Sequence, residues 1–148
     1  MPMTRREMCS LLPAAMLPLA VAARTESGEQ SDSLPSAGYS LEKLAVHTTP
    51  NGAQVREIFK GHLATGESIE THATTLAPGA MPHPPHHHEH SEMFFMREGT
   101  LELTVNGRTY PLGPGSVGFV RSNEEHGVKN VGTTAANYFV VEVGPGAA

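Results

Sequence analysis

The chain has 148 residues, enough for one domain with its own core and too few for two. Its 15 acidic residues outnumber its 10 basic ones, and the formal net charge is −5 with histidines neutral. No Lys/Arg cluster appears in the body of the chain, which speaks against nucleic acid as a partner. Gly (15) and Pro (12) are frequent and Trp is absent, a profile expected of many short strands joined by turns.

Residues 1–23 read as a signal peptide. Arg5 and Arg6 precede a run from Cys9 to Ala23 that carries no charge, and Ala20-Val21-Ala22 has the small-x-small form of a cleavage site. That run is shorter than the ~20 residues a membrane helix needs, and Pro13 and Pro18 interrupt it, so no stable membrane span is expected in the mature form. Thr4-Arg5-Arg6-Glu7-Met8 resembles a twin-arginine export signal, although the hydrophobic pair and lysine often found after the arginines are missing. The protein is therefore expected to be exported, to a periplasmic or extracellular location. Cys9 is the single cysteine, so the mature chain would hold no thiol or disulfide. Residues 24–38 are polar and read as a flexible linker, and the folded body is expected over 39–146.

Within the body the punctuation is regular. Tyr39–Val46 reads as a weak strand or a short turn, and Thr49-Pro50-Asn51-Gly52 as a turn. Gln54–Phe59 alternates, with Val55, Glu57 and Phe59 on one face. Ser68–Leu76 is rich in β-branched residues and reads as a long strand, ended by Pro78-Gly79. Further strands are predicted over Glu92–Met96, Thr100–Val105, Thr109–Leu112, Val117–Val120, His126–Val131 and Asn137–Val143. Asn106-Gly107 is a strong hairpin turn, and Val117–Val120 looks buried. At least eight short strands and no helical periodicity predict an all-β jelly-roll barrel of two antiparallel sheets.

Five of the nine histidines lie between His83 and His90. Side chains alternate along an extended segment, so His86, His88 and Glu92 can share one side and point into one cavity, with His87 on the other. Imidazoles with a carboxylate suit a first-row transition metal. The run could instead be a solvated metal-buffering loop with no defined site.

His86-x-His88-x₃-Glu92-x₆-Gly99 resembles the first motif of the cupins. Gly115-x₅-Arg121-x-Asn123-x₂-His126-x₃-Asn130 resembles the second, with Arg121 and Asn123 where the pattern has Pro and Gly. Asn tolerates the same left-handed turn as Gly, whereas Arg121 is the larger departure. The resemblance covers about residues 67–143 and implies a cupin barrel in which His86, His88, Glu92 and His126 bind one divalent transition metal. Mn or Fe is favoured, because a chain folded before export would choose its metal in the cytoplasm; Ni, Co, Cu and Zn stay open. The resemblance also implies a homodimer.

The remaining candidates are read more plainly. His83 and His90 are expected beside the site or at the surface, and His47 and His62 at the surface. Glu70, His72 and Thr74 share a parity that would place them on the cavity wall or facing away. Met81, Phe94, Met96, Phe119 and Tyr138 read as packing. His72 and Tyr110 are the acid/base candidates. The leading expectation is a metal-dependent enzyme on a small organic substrate, of dioxygenase, decarboxylase, isomerase or lyase type. The alternatives are a module that binds a metal or small ligand without turnover, and a metal that only rigidifies the barrel.

Overall fold

A computed structural model describes residues 33–145. The signal peptide expected over 1–23 lies outside the described residues, as do residues 24–32 of the expected linker and residue 146. The described part of that linker meets the body: Leu34 N–H donates to the His62 carbonyl at 2.8 Å, and Leu34 packs over Gly61, where an added Cβ would come within 2.8 Å of it.

Nine strands form two antiparallel sheets. In chain order they are β1 (His47–Thr48), β2 (Gln54–His62), β3 (Ser68–Leu76), β4 (Ser91–Glu98), β5 (Leu101–Val105), β6 (Arg108–Leu112), β7 (Val117–Val120), β8 (His126–Asn130) and β9 (Ala136–Gly144). The larger sheet has the order β1-β2-β3-β9-β4-β7, and the smaller β6-β5-β8. The arrangement is a jelly-roll barrel, as the turn spacing predicted. Tyr39–Val46 contains a short 3₁₀ turn at Leu41–Lys43, the only helical element among the described residues.

Period-two patterning explains how the strands bury their faces. Leu101 and Leu103 on β5 meet Phe94 and Met96 on β4, and Val128, Tyr138 and Val140 join them between the sheets. Each such side chain contributes about 1.5–3 kcal/mol by leaving water. β5 and β6 are joined at Asn106-Gly107, both with positive φ (46° and 77°), which matches the right-handed twist of the hairpin. Asn123 also takes a left-handed φ of 63°, the conformation anticipated for it.

Two strand readings are corrected. A β-bulge between Glu57 and Phe59 leaves Glu57 opposite His72 but Phe59 opposite Thr71. Phe59 is thereby turned to the other face from Val55 and Glu57, where its ring meets Tyr39 at 5.5 Å. β7 is not buried throughout: Val117 and Phe119 are 56% and 59% exposed, because β7 is the free edge of the larger sheet and only Gly118 and Val120 face inward. Phe119 is therefore not the packing residue expected.

The second motif's last residue holds the end of the barrel. Asn130 is fully buried; its Nδ2 donates to the carbonyls of Leu76 and Thr134, both at 2.8 Å, and its Oδ1 accepts from Gly132 N–H at 2.9 Å.

Candidate metal centre

The histidine run is a loop, not a strand. Pro82, Pro84 and Pro85 cannot donate to a ladder, and β4 begins only at Ser91. The loop is tied instead to the start of β8. His86 N–H donates to the His126 carbonyl at 3.0 Å, His126 N–H returns the bond at 2.8 Å, and Asn123 N–H donates to the His88 carbonyl at 2.8 Å. Gly127 lies against Pro85, close enough that an added Cβ would be in van der Waals contact with it at 3.4 Å.

These bonds bring the three imidazoles into a nearly equilateral cluster. Ring centroids are 5.1 Å apart for His86–His88, 4.8 Å for His86–His126 and 5.0 Å for His88–His126. Glu92, buried on β4, points at the same place: its Oε2 is 2.6 Å from His126 Nε2 and 3.4 Å from His88 Nε2. His83 stacks edge-on against His86 at 4.3 Å, beside the cluster as expected.

The outer ring nitrogens are already engaged. His88 Nδ1 donates to the His90 carbonyl at 3.1 Å and His126 Nδ1 to the Glu124 carbonyl at 2.8 Å. A carbonyl only accepts, so both Nδ1 atoms carry hydrogen, and Nε2 is the nitrogen through which each ring could coordinate an ion. His86 Nδ1 is buried with no hydrogen-bond partner. Three imidazoles, a carboxylate and an orphaned ring nitrogen fit a first-row transition ion, and this His/Glu cluster could hold one.

The electrostatics agree. Burial, then the neighbouring histidines, lowers the pKa of His86 and favours its neutral, ligating form. Burial pushes the Glu92 carboxyl up, but the hydrogen bond and charge of His126, with His88 adding, hold it below its ordinary value. Burial lowers His126, yet Glu92 and the Glu124 carbonyl together raise it above its ordinary value.

His86 and Glu92 of this cluster line a cavity of about 520 Å³. Glu70, His72 and Thr74 line its wall, which settles the choice that parity left open; His47, exposed as expected, stands at its rim. Tyr110 does not reach it. That residue is 45% exposed on β6 of the other sheet, so it is withdrawn as an acid/base candidate. Arg121 is exposed and pairs with Glu124 at 3.4 Å. Tyr138 is buried as expected but also lines the cavity, and burial pushes its phenol well above the usual range.

Glu57 and Glu142 were missed as cavity residues. Glu142 had a visible signal: Tyr138, Val140 and Glu142 share a parity, so a charge continues an apolar, inward-facing row.

Residues 72–142 match the family model described as "Cupin domain". A stretch of 63 residues is 38% identical to the L-ectoine synthase of Bordetella parapertussis, covering 41% of this chain and 47% of the relative. The Bordetella bronchiseptica enzyme matches equally. The chain thus spans about half the length of the curated relatives it matches. Among solved structures, the cupin domain of Schizosaccharomyces pombe Cnp3 aligns with a TM-score of 0.62 at 21% identity, over 72% of this chain and 73% of that one. KdgF from a Halomonas species aligns at 0.61 and 17% identity, over 73% and 94%. A predicted oxalate decarboxylase from Thermotoga maritima aligns at 0.59 and 21% identity, over 72% and 98%. These likenesses are to the fold.

Proposed function

We propose that this chain, a cupin by its domain match and its barrel, is a metal-dependent enzyme acting on a small organic substrate. His86, His88, Glu92 and His126 hold one divalent ion, with Mn or Fe favoured. The observation that carries the reading is the imidazole triangle set against buried Glu92 at one end of an open cavity. The match to L-ectoine synthases over 63 residues supports an enzyme over an inert module.

The ion would supply Lewis-acid or redox chemistry at its open positions. The chain's own residues do the rest. Phe94, Val128 and Val140 give the cavity an apolar lining. His72 and Glu57 are register partners on β3 and β2 and both line the wall, where either could take or return a proton at a bound substrate.

Metal analysis of protein purified from its natural host, with His86→Ala beside it, tests the site. One equivalent of Mn or Fe in the wild type and none in the variant is the expected result. An empty wild type with unchanged melting in the variant refutes the site. Turnover or dioxygen uptake separates an enzyme from a binding module. Export of the chain, through the twin-arginine-like segment Thr4–Met8, belongs to the same proposal and is tested by locating the processed protein after fractionation. Self-association is proposed through the exposed edge of β7, where Val117 and Phe119 stand in water.

A further inference from the structure

Three carboxylates lie abreast on the cavity side of the larger sheet. Glu70 on β3 is paired with Glu142 on β9, and Glu142 with Glu92 on β4. Directly opposed residues of adjacent strands have Cβ atoms roughly 4.5–5.5 Å apart, and like charges there repel. The two outer carboxylates have their own cations. Lys60 Nζ is 2.6 Å from Glu70, and Glu92 has His126 Nε2 at 2.6 Å. The middle one has no such close partner: His90 Nδ1 lies 4.0 Å from Glu142 Oε2, the far limit of an ion pair.

A second observation gives this carboxylate a target. Donor atoms of His88, Glu92 and Glu142 all lie within 4.8 Å of one another, as do those of His86, His88 and His126. The two groups share His88, and Glu92 touches members of both. An ion with donors at about 2.1 Å spans trans donor atoms roughly 4.2 Å apart, so contraction of a few tenths of an ångström about His88 and Glu92 would bring Glu142 onto an ion that those two residues hold.

Resting on the metal reading above, the geometry points to Glu142 as a further protein donor to that ion, beyond the motif residues. The ion would then have three neutral imidazoles and two carboxylates, and a divalent charge would be balanced. Extra carboxylate oxygen shifts preference toward harder ions such as Mn(II) and away from Cu. On a six-coordinate ion one position stays open, so substrate would meet the ion through one atom and depend on the cavity wall for the rest of its orientation.

The test uses the full chain, loaded with Co(II) for its visible absorption and titrated with Mn(II) for affinity. Glu142→Gln is expected to retain the fold, to shift the Co(II) bands, and to weaken Mn(II) binding by about 10-fold or more, the scale at which even outer partners of a metal matter. Glu142→Asp, which withdraws the carboxylate by one methylene, should shift the bands in the same sense. The metal-free Glu142→Gln protein should melt no lower than wild type, because it relieves the row of like charges. A structural role alone would change melting and leave the Co(II) spectrum alone. Unaltered bands and affinity in Glu142→Gln, with the ion lost in Glu92→Gln, overturn the assignment of Glu142 while sparing the motif site. A wild type that takes up neither ion overturns both.

Discussion

His126 Nε2 lies 2.6 Å from Glu92 Oε2 while the same ring's Nδ1 lies 2.8 Å from the Glu124 carbonyl oxygen. Both ring nitrogens thus face acceptors. The outer hydrogen is committed to the carbonyl, so something positive must sit between Nε2 and the carboxylate. In metal-free protein that is a proton, and His126 is an imidazolium paired with a carboxylate. An ion held here would take the place of that proton, with Glu92 and His126 as its donors.

Glu92→Gln should therefore lose metal affinity by more than about 100-fold, since a ligand counts for at least as much as the groups behind it. The amide keeps the shape of the side chain, so the far-ultraviolet dichroism of the β-barrel should be unchanged. Titration with Mn(II) checks this, and stoichiometric metal in the variant would remove Glu92 from the ligand set.

The same pair gives metal-free protein a pH signature. Glu92 has a lowered pKa, so its contribution is complete above the ordinary carboxyl value of 4.5 and is lost as pH falls through the lowered value. His126 has a raised pKa, so its contribution is complete below the ordinary imidazole value of 6.5 and is lost as pH rises through the raised value. His86, lowered by burial, erodes stability below pH 6.5; the Glu92 charge opposes that shift, so its removal adds to the wild type's advantage there. The melting difference between wild type and Glu92→Gln in chelator should be greatest between about pH 4.5 and pH 6.5. A difference that does not vary with pH would contradict the ion pair.

Asn130→Asp should destabilise the barrel by about 2–4 kcal/mol. The carboxyl oxygen that replaces Nδ2 cannot donate to the Leu76 and Thr134 carbonyls, and each buried acceptor left unpaired costs about 1–3 kcal/mol. Urea unfolding measures the loss. Because Asn130 is remote from the ligand nitrogens, metal stoichiometry should not change.

Phe119→Lys should convert a dimer to a monomer if β7 is the contact edge, since a charge on an edge strand blocks pairing. Light scattering after gel filtration reads the mass. The side chain is 59% exposed in the single chain, so monomer stability should move by less than about 0.5 kcal/mol.

Much of the barrel was legible because its strands obey period two and its turns carry Asn-Gly or Gly at left-handed positions. The convergence of His86, His88, Glu92 and His126 was legible because motif spacing survives a change of backbone: the run is a proline-broken loop, yet the bridge between His86 and His126 restores the convergence that an extended strand would have given. Three things were not legible. The bulge that turned Phe59 over leaves no local mark, because an extra residue in a strand looks like any other. The exposure of Val117 and Phe119 depends on β7 being an edge, which is a property of strand order. Parity with Tyr138 and Val140 marks Glu142 as inward-facing, but its place beside Glu92 depends on β9 lying between β3 and β4, which no local pattern reveals.

That insertion of β9 also bears on how the molecule is made. Leu76 and Ala136 are register partners, as are Ser68 and Gly144, so the middle of the larger sheet closes only when residues far apart along the chain meet. The β5–β6 hairpin can form early and locally, whereas β3 and β4 wait for β9 to arrive between them. Such non-local closure is slow, on the scale of milliseconds to seconds for barrels of this kind. The imidazole and carboxylate cluster straddles the same gap: the loop and β4 supply one part and β8 another, with β9 bordering β4. A chain paused before β9 docks would carry a histidine-rich loop able to catch stray ions loosely, and if the barrel holds a metal, the order in which the two arrive would bear on which ion is kept.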